Sequence, residues 1–264
     1  MLNRILFVAF LLCLQLFTPT FAADLSDYRA AGRVPTINKM GWAHPGNDAV
    51  TQQFLSFCKE HPGAKVLEIG AAYGDVSKLA LENGANVWVN DLEPKHLSNF
   101  LNSIPKDKQN KAHVVAGEFP TAVTLPPHSF DAILVARVFP LMKPEQFEAS
   151  IVAIKSLLKA GGKVYVVAET PYIKSWSGFI PEYEQRKTKG ERFPGYIAEP
   201  EKYNPASAAH LSGFLNFLDP QILTREFKNK GFEIIWCQFM NRADFPESMR
   251  LDGRESVGLI AGTS

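Results

Sequence analysis

The sequence predicts an α/β protein built on a doubly wound, seven-stranded, mostly parallel sheet whose last strand runs antiparallel. Short continuous apolar runs alternate with segments of helical spacing, the pattern of strands covered on both faces. A turn of small residues, Gly70 to Gly74, joins the first core run to the next helix. The last two apolar runs have no helix between them and fit an antiparallel hairpin at a sheet edge. With 264 residues, 46% hydrophobic and 21% charged, the chain has ample material for one large core, and disordered or low-complexity readings are excluded.

The elements follow in order. A polar lead-in from Ala23 to Asn47 precedes a helix over Asp48–His61, with Val50, Phe54, Leu55 and Cys58 at helical spacing. Lys65–Ile69 is the first strand, and Asp75–Asn83 is a helix ended by Gly84. Val87–Val89, His113–Ala116 and Phe130–Val135 are the next three strands, with a helix over Pro94–Ile104. Pro144–Lys159 reads as a long amphipathic helix capped by Gly161 and Gly162, leading into a fifth strand, Lys163–Ala168. Asp219 and Pro220 supply the cap and first turn of a last helix ending at Gly231. Phe232–Phe239 and Ser256–Ala261 form the hairpin.

Residues 1–22 stand apart. Arg4, the apolar run Ile5–Phe17 and the small residues Thr20 and Ala22 have the layout of a secretory signal peptide, which leaves a single domain over 23–264. The run of 13 residues is short of the ~20 that a bilayer span needs, so a membrane tie is expected only if this segment stays uncleaved. Export, to a periplasm or outside the cell, is the expected localisation, with a tethered form as the alternative. The mature chain keeps Cys58 and Cys237, too few for a disulfide framework, and its histidines show no ligand spacing, so no metal is expected. Lys+Arg 28 against Asp+Glu 27 offers no pull toward phosphate backbones, so nucleic acid is not an expected partner.

The chemistry concentrates at the ends of the early strands. In VLEIGAAYGD, Gly70, Ala72 and Gly74 let a ligand approach the backbone and the helix N-terminus. Glu68 precedes the turn, and Asp91 ends the second strand, where a carboxylate is placed to accept ribose hydroxyls. A nicotinamide or flavin site would want glycines at 70, 72 and 75, and positions 72 and 75 are alanine and aspartate. Each acidic residue alone has an ordinary structural reading; their placement at successive strand ends favours a ligand site.

Here the chain resembles the class I S-adenosylmethionine-dependent methyltransferases, over roughly Asp48 to Ser264. The family's acidic-and-glycine turn appears as Glu68, Gly70, Ala72 and Gly74, with alanine at the middle glycine. FDAILVAR (Phe130–Arg137) and LLKAGGKVYVV (Leu157–Val167) match its fourth strand, following helix and fifth strand. The resemblance implies S-adenosylmethionine as cofactor, with Asp91 on the ribose, Glu118 by the adenine and Phe119 against its face. It implies a binding set that also includes Ala71, Tyr73, Leu92, Ala136 and Arg137. The implied activity is in-line methyl transfer to a small-molecule acceptor; the alternative is a non-catalytic protein that kept the nucleoside pocket.

The stretch 170–217 is longer than an ordinary connection and is expected to be a lid or substrate insertion. Its aromatic residues, interleaved with Lys174, Arg186, Lys187, Lys189 and Arg192, suit either a wall for a flat or anionic molecule or a small cap with its own core. ARVFPLM after the fourth strand is not the NPPY-type turn of base-modifying amino-methyltransferases. The candidates for a catalytic base are Glu169 and Tyr172, past the fifth strand, and His44 in the lead-in, which with Trp42 is expected to close over the cofactor.

Overall fold

The computed structural model describes residues 34–43 and 48–263. Residues 1–22, expected to be a leader, and His44 lie outside the described residues. The chain enters as a strap in which β1 (Val34–Pro35) pairs antiparallel with β2 (Trp42–Ala43). It continues through α1 (Ala49–Glu60), β3 (Lys65–Ile69), α2 (Asp75–Glu82), β4 (Asn86–Asp91), α3 (Pro94–Ser103) and β5 (Ala112–Ala116). Then come β6 (Phe130–Ala136), α4 (Pro144–Leu157) and β7 (Leu158–Glu169). The insertion contributes α5 (Ile180–Thr188), β8 (Tyr196–Ile197), α6 (Pro205–Ala208) and β9 (Leu215–Asn216). The chain closes with α7 (Pro220–Asn229), β10 (Glu233–Met240) and β11 (Ser256–Gly262).

The main sheet has the order β10-β11-β7-β6-β3-β4-β5. Strands β5, β4, β3, β6 and β7 run parallel, and β11 runs antiparallel to both β7 and β10. This is the expected seven-stranded sheet with a reversed last strand. From β3 the chain winds outward to β5 and then returns to place β6 on the other side of β3. The two connections therefore diverge at the C-terminal ends of β3 and β6 and leave a crevice there.

Alternation along the central strands divides the core. Leu67, Ile69, Ile133 and Val135 face α4 and α7, where Phe147, Ile151, Leu223 and Phe227 are buried. Val66, Ala132 and Leu134 face α1, α2 and α3, with Phe54, Ala80 and Phe100. A third cluster, built on Trp176, Phe179, Tyr183 and Phe217 of the insertion, also includes Phe245 and Met249 from the connection between β10 and β11.

One expectation needs correction. The helix over Pro144–Lys159 stops at Leu157, and Gly161 and Gly162 do not cap it: Leu158 is already extended, and these residues lie inside β7. The reason is pairing. Leu158 registers with Phe130 and Lys163 with Ala132, so the intervening residues bulge outward, and Gly161 takes a φ of +74° to do so. Within the lead-in, Thr36 closes the strap by accepting from Lys39 and donating through its hydroxyl to the Gly41 carbonyl. Among the described residues no helix is long and apolar enough to cross a membrane.

Candidate active site

The turn after β3 needs left-handed backbone. Gly70 has φ +67°, and a Cβ there would come within 2.4 Å of Val138. Gly74, the N-cap of α2, has φ +68°, and a Cβ there would come within 2.5 Å of the Phe100 ring. Ala72 also has positive φ, at 49°, a conformation that costs an L-residue roughly 1–2 kcal/mol. Its N–H donates to Asp91 Oδ2 at 2.7 Å, which ties the strained residue to the end of β4.

Asp91 organises the site. Its Oδ1 accepts from the Glu93 N–H at 2.8 Å and from His96 Nδ1 at 2.9 Å. His96 lies in the first turn of α3, and side chains there point back toward the helix start, so it reaches the strand end that precedes its own helix. Its other nitrogen, Nε2, accepts from the backbone N–H of Ile37 in the strap at 3.0 Å. Tyr73 packs edge-on to the His96 ring and donates its hydroxyl to the Pro35 carbonyl at 3.0 Å.

Glu68 is buried and accepts from the Ser77 hydroxyl on α2. Burial pushes its carboxyl up to about 7, although the Ser77 bonds pull the other way. Across the sheet, Glu118 is bonded by Gln146 of α4, whose amide also donates to the Phe119 carbonyl. Arg137, with φ +63°, follows β6 and donates to Asp48 at 3.1 Å. Burial works to raise the Asp48 carboxyl, but Arg137 and the Thr51 hydrogen bonds outweigh it and hold it below its ordinary value.

A continuous cavity runs along these strand ends. Of the expected cofactor residues, Glu68, Gly70, Ala71, Ala72, Asp91, Leu92, Glu118, Phe119, Ala136 and Arg137 line it, whereas Tyr73 and Gly74 stand behind the wall. Glu169 lines it at the end of β7. Tyr172 does not: its hydroxyl donates to Glu184 and its ring lies under Arg254. Asp91 on β4 and Glu169 on β7 are three strand spacings apart, about 14 Å. Sequence reasoning missed His96 and the strap residues Thr36 and Asn38, which also line the cavity. His96 gave no signal in the sequence, because it is a lone histidine in the first turn of its helix.

The cavity has two halves. Around the turn it is polar; beyond Arg137 it is walled by Trp42, Leu141, Trp176, Leu215, Phe217 and Met249. Carboxylates dominate its charge: Asp75, Asp91, Glu118 and Glu169, beside the buried Glu68, with Arg137 the one Lys or Arg among the described lining residues. The basic residues of the insertion face elsewhere. Lys187 is paired with Asp219, Arg192 with Glu226 and Glu148, and Arg186 with Glu182.

A switch-point crevice with a carboxylate at the end of its second core strand, a small-residue turn and an excess of negative charge fits a nucleoside that carries positive charge, such as S-adenosylmethionine. Fold and strand-end crevice together resemble those of the class I methyltransferases. The family model described as "Methyltransferase domain" matches residues 66–162. An uncharacterized methyltransferase of Geobacillus sp. (strain WCH70) is 26% identical over 191 residues, covering 71% of this chain and 78% of that protein.

Among solved structures, an S-adenosylmethionine-dependent methyltransferase from Mesorhizobium loti aligns with TM-score 0.58 and 16% identity, over 81% of this chain and 98% of its own. The 1,6-didemethyltoxoflavin-N1-methyltransferase of Burkholderia thailandensis aligns at 0.56 and 16%, over 83% and 80%. The glycopeptide N-methyltransferase MtfA in complex with S-adenosylmethionine aligns at 0.54 and 16%, over 82% and 95%. At these identities the structural likeness concerns the fold. Residues 66–162 match a methyltransferase domain, and the chain shares its fold with S-adenosylmethionine-dependent methyltransferases.

Proposed function

We propose that the chain methylates a small, largely apolar molecule at a nitrogen or oxygen, with Glu169 receiving the proton that the acceptor gives up. The observation that carries this reading is the divided cavity: a polar, carboxylate-rich half beside an apolar half, with Glu169 among the lining residues at the end of β7. Two neighbours support the acceptor class, since one is described as acting on 1,6-didemethyltoxoflavin and another as a glycopeptide N-methyltransferase.

When bound, S-adenosylmethionine supplies a methyl group already activated on a positively charged sulfur. What remains for the chain is alignment, exclusion of water and proton removal. Asp91 and Glu118 hold the nucleoside end. The strap residues Met40 and Trp42 cover the cavity, and Leu141 and Trp176 form its apolar wall. Among the described lining residues a single arginine, already given to Asp48, makes the cavity a poor host for anionic acceptors.

The test is transfer of labelled methyl from S-adenosylmethionine to a cell extract separated into small-molecule, protein and nucleic-acid fractions. Label in the small-molecule fraction is expected, reduced at least about tenfold by Glu169→Gln at neutral pH with cofactor affinity retained. Label confined to protein or nucleic acid overturns the acceptor class.

A further inference from the structure

We infer that His96 is a positioning residue that joins the strap to Asp91, so that cofactor binding and closure of the cavity roof are one event. The inference rests on the reading of Asp91 as the residue that holds the nucleoside.

The ring is 1% exposed, so water does not substitute for either of its partners. Because the Ile37 N–H donates to Nε2, the proton of a neutral ring sits on Nδ1 and is donated to Asp91. One side chain thus serves as donor to the carboxylate and as acceptor for the roof. Asp91 has about four acceptor sites, and the N–H groups of Ala72, Glu93 and His96 take three, which fixes the carboxylate and leaves about one for a ligand. A ligand bonded to Asp91 polarises the same chain of hydrogen bonds that ends on Ile37.

The roof continues to the acceptor side. The Gly41 N–H donates to the His210 carbonyl at 3.0 Å, and Trp42 packs on the His210 ring with centroids 5.3 Å apart. The strap therefore bridges from His96 and Tyr73 on the cofactor half to the insertion. A ligand that steadies its first strand also steadies the wall at Trp42.

Two substitutions divide the roles of the ring. His96→Asn places an amide N–H near the former Nδ1 and keeps the bond to Asp91, but offers Ile37 no acceptor. His96→Gln places a carbonyl near the former Nε2 and keeps the acceptor for Ile37, but loses the Asp91 donor. In the full chain, amide hydrogen exchange of residues 36–42 is followed with and without S-adenosylmethionine, beside calorimetric titration of the same ligand.

In the wild type, saturating S-adenosylmethionine is expected to slow exchange in this segment by about tenfold or more. His96→Asn is expected to bind with Kd raised less than about tenfold yet to show no slowing. His96→Gln is expected to bind more weakly but to keep the slowing at saturation. Equal slowing in His96→Asn and wild type overturns the coupling, as does wild-type binding without slowing. A folded wild type that does not bind S-adenosylmethionine overturns the cofactor reading itself, and the titration distinguishes that failure from the other two.

Discussion

Glu68 sits where ordinary burial rules work against a carboxylate. It is 5% exposed and has Ser77 as its hydrogen-bond partner, and burial raises its carboxyl from the ordinary 4.5 to about 7. The native state therefore holds this proton more tightly than the unfolded chain does. The resulting stability is fully present below pH 4.5 and is lost as pH rises through about 7. Glu68→Gln removes the ionisation while keeping an acceptor for Ser77. Urea unfolding is expected to show the variant gaining on wild type by on the order of 2 kcal/mol between pH 5 and pH 8. A constant difference across that range would falsify the assignment of a raised carboxyl.

Residues of this kind differ in how much the sequence discloses about them. Asp91 and the turn from Gly70 to Gly74 were legible because strand ends and small residues leave a local signature. His96 was not, since a lone histidine at a helix start has no pattern until its partners, Asp91 and Ile37, are brought beside it. Glu169 was legible by position alone. Tyr172, equally well placed in sequence, turns its hydroxyl to Glu184 because the insertion folds back over it.

At the level of elements, Asp219 is the joint between insertion and core. It caps α7 by accepting from the Ile222 N–H at 2.8 Å, and it also accepts from the Tyr183 hydroxyl and from Lys187 on α5. Burial works to raise its carboxyl, but these bonds outweigh it and hold it below the ordinary value. Asp219→Ala deletes a cap and strands a buried phenol, together about 2–4 kcal/mol. The expected outcome is a lower Tm, with protease cutting near residues 186–192 appearing before global unfolding. Loss of stability without that local cutting would place the joint elsewhere. The cap was readable from the Asp-Pro pair. Its second duty was not, because Tyr183 and Lys187 lie far back in the chain and meet Asp219 only once the insertion has folded.

On the scale of the whole molecule, a ligand that binds only the folded state stabilises it in proportion to the logarithm of its concentration. S-adenosylmethionine at about a hundred times its Kd is expected to add about 2.7 kcal/mol and to raise Tm, an effect that Asp91→Ala removes at the same concentration. A thermal shift equal in wild type and variant would disconnect Asp91 from the cofactor. For the leader, the expectation is a mature N-terminus at Ala23, read by mass spectrometry of the protein from its native cell; an intact Met1 contradicts export. The doubly wound sheet and its antiparallel edge hairpin were legible because periodicity and turn residues are local; the strand order was not, since it is set by pairing between segments far apart in the chain. The insertion's tertiary role was not, because ion pairs such as Arg192 with Glu226 join residues far apart in the chain.

The strap also decides where the molecule can be held. Pulling from ahead of Val34 loads the hydrogen bonds at Pro35 and Ile37 first, and these are few and act one after another. Pulling from Thr263 loads β11, which is hydrogen-bonded along both edges to β7 and β10 and shares the force across many bonds. A molecule fixed to a bead by its N-terminal side is expected to lose cofactor affinity under tension that leaves one fixed by its C-terminal side unchanged.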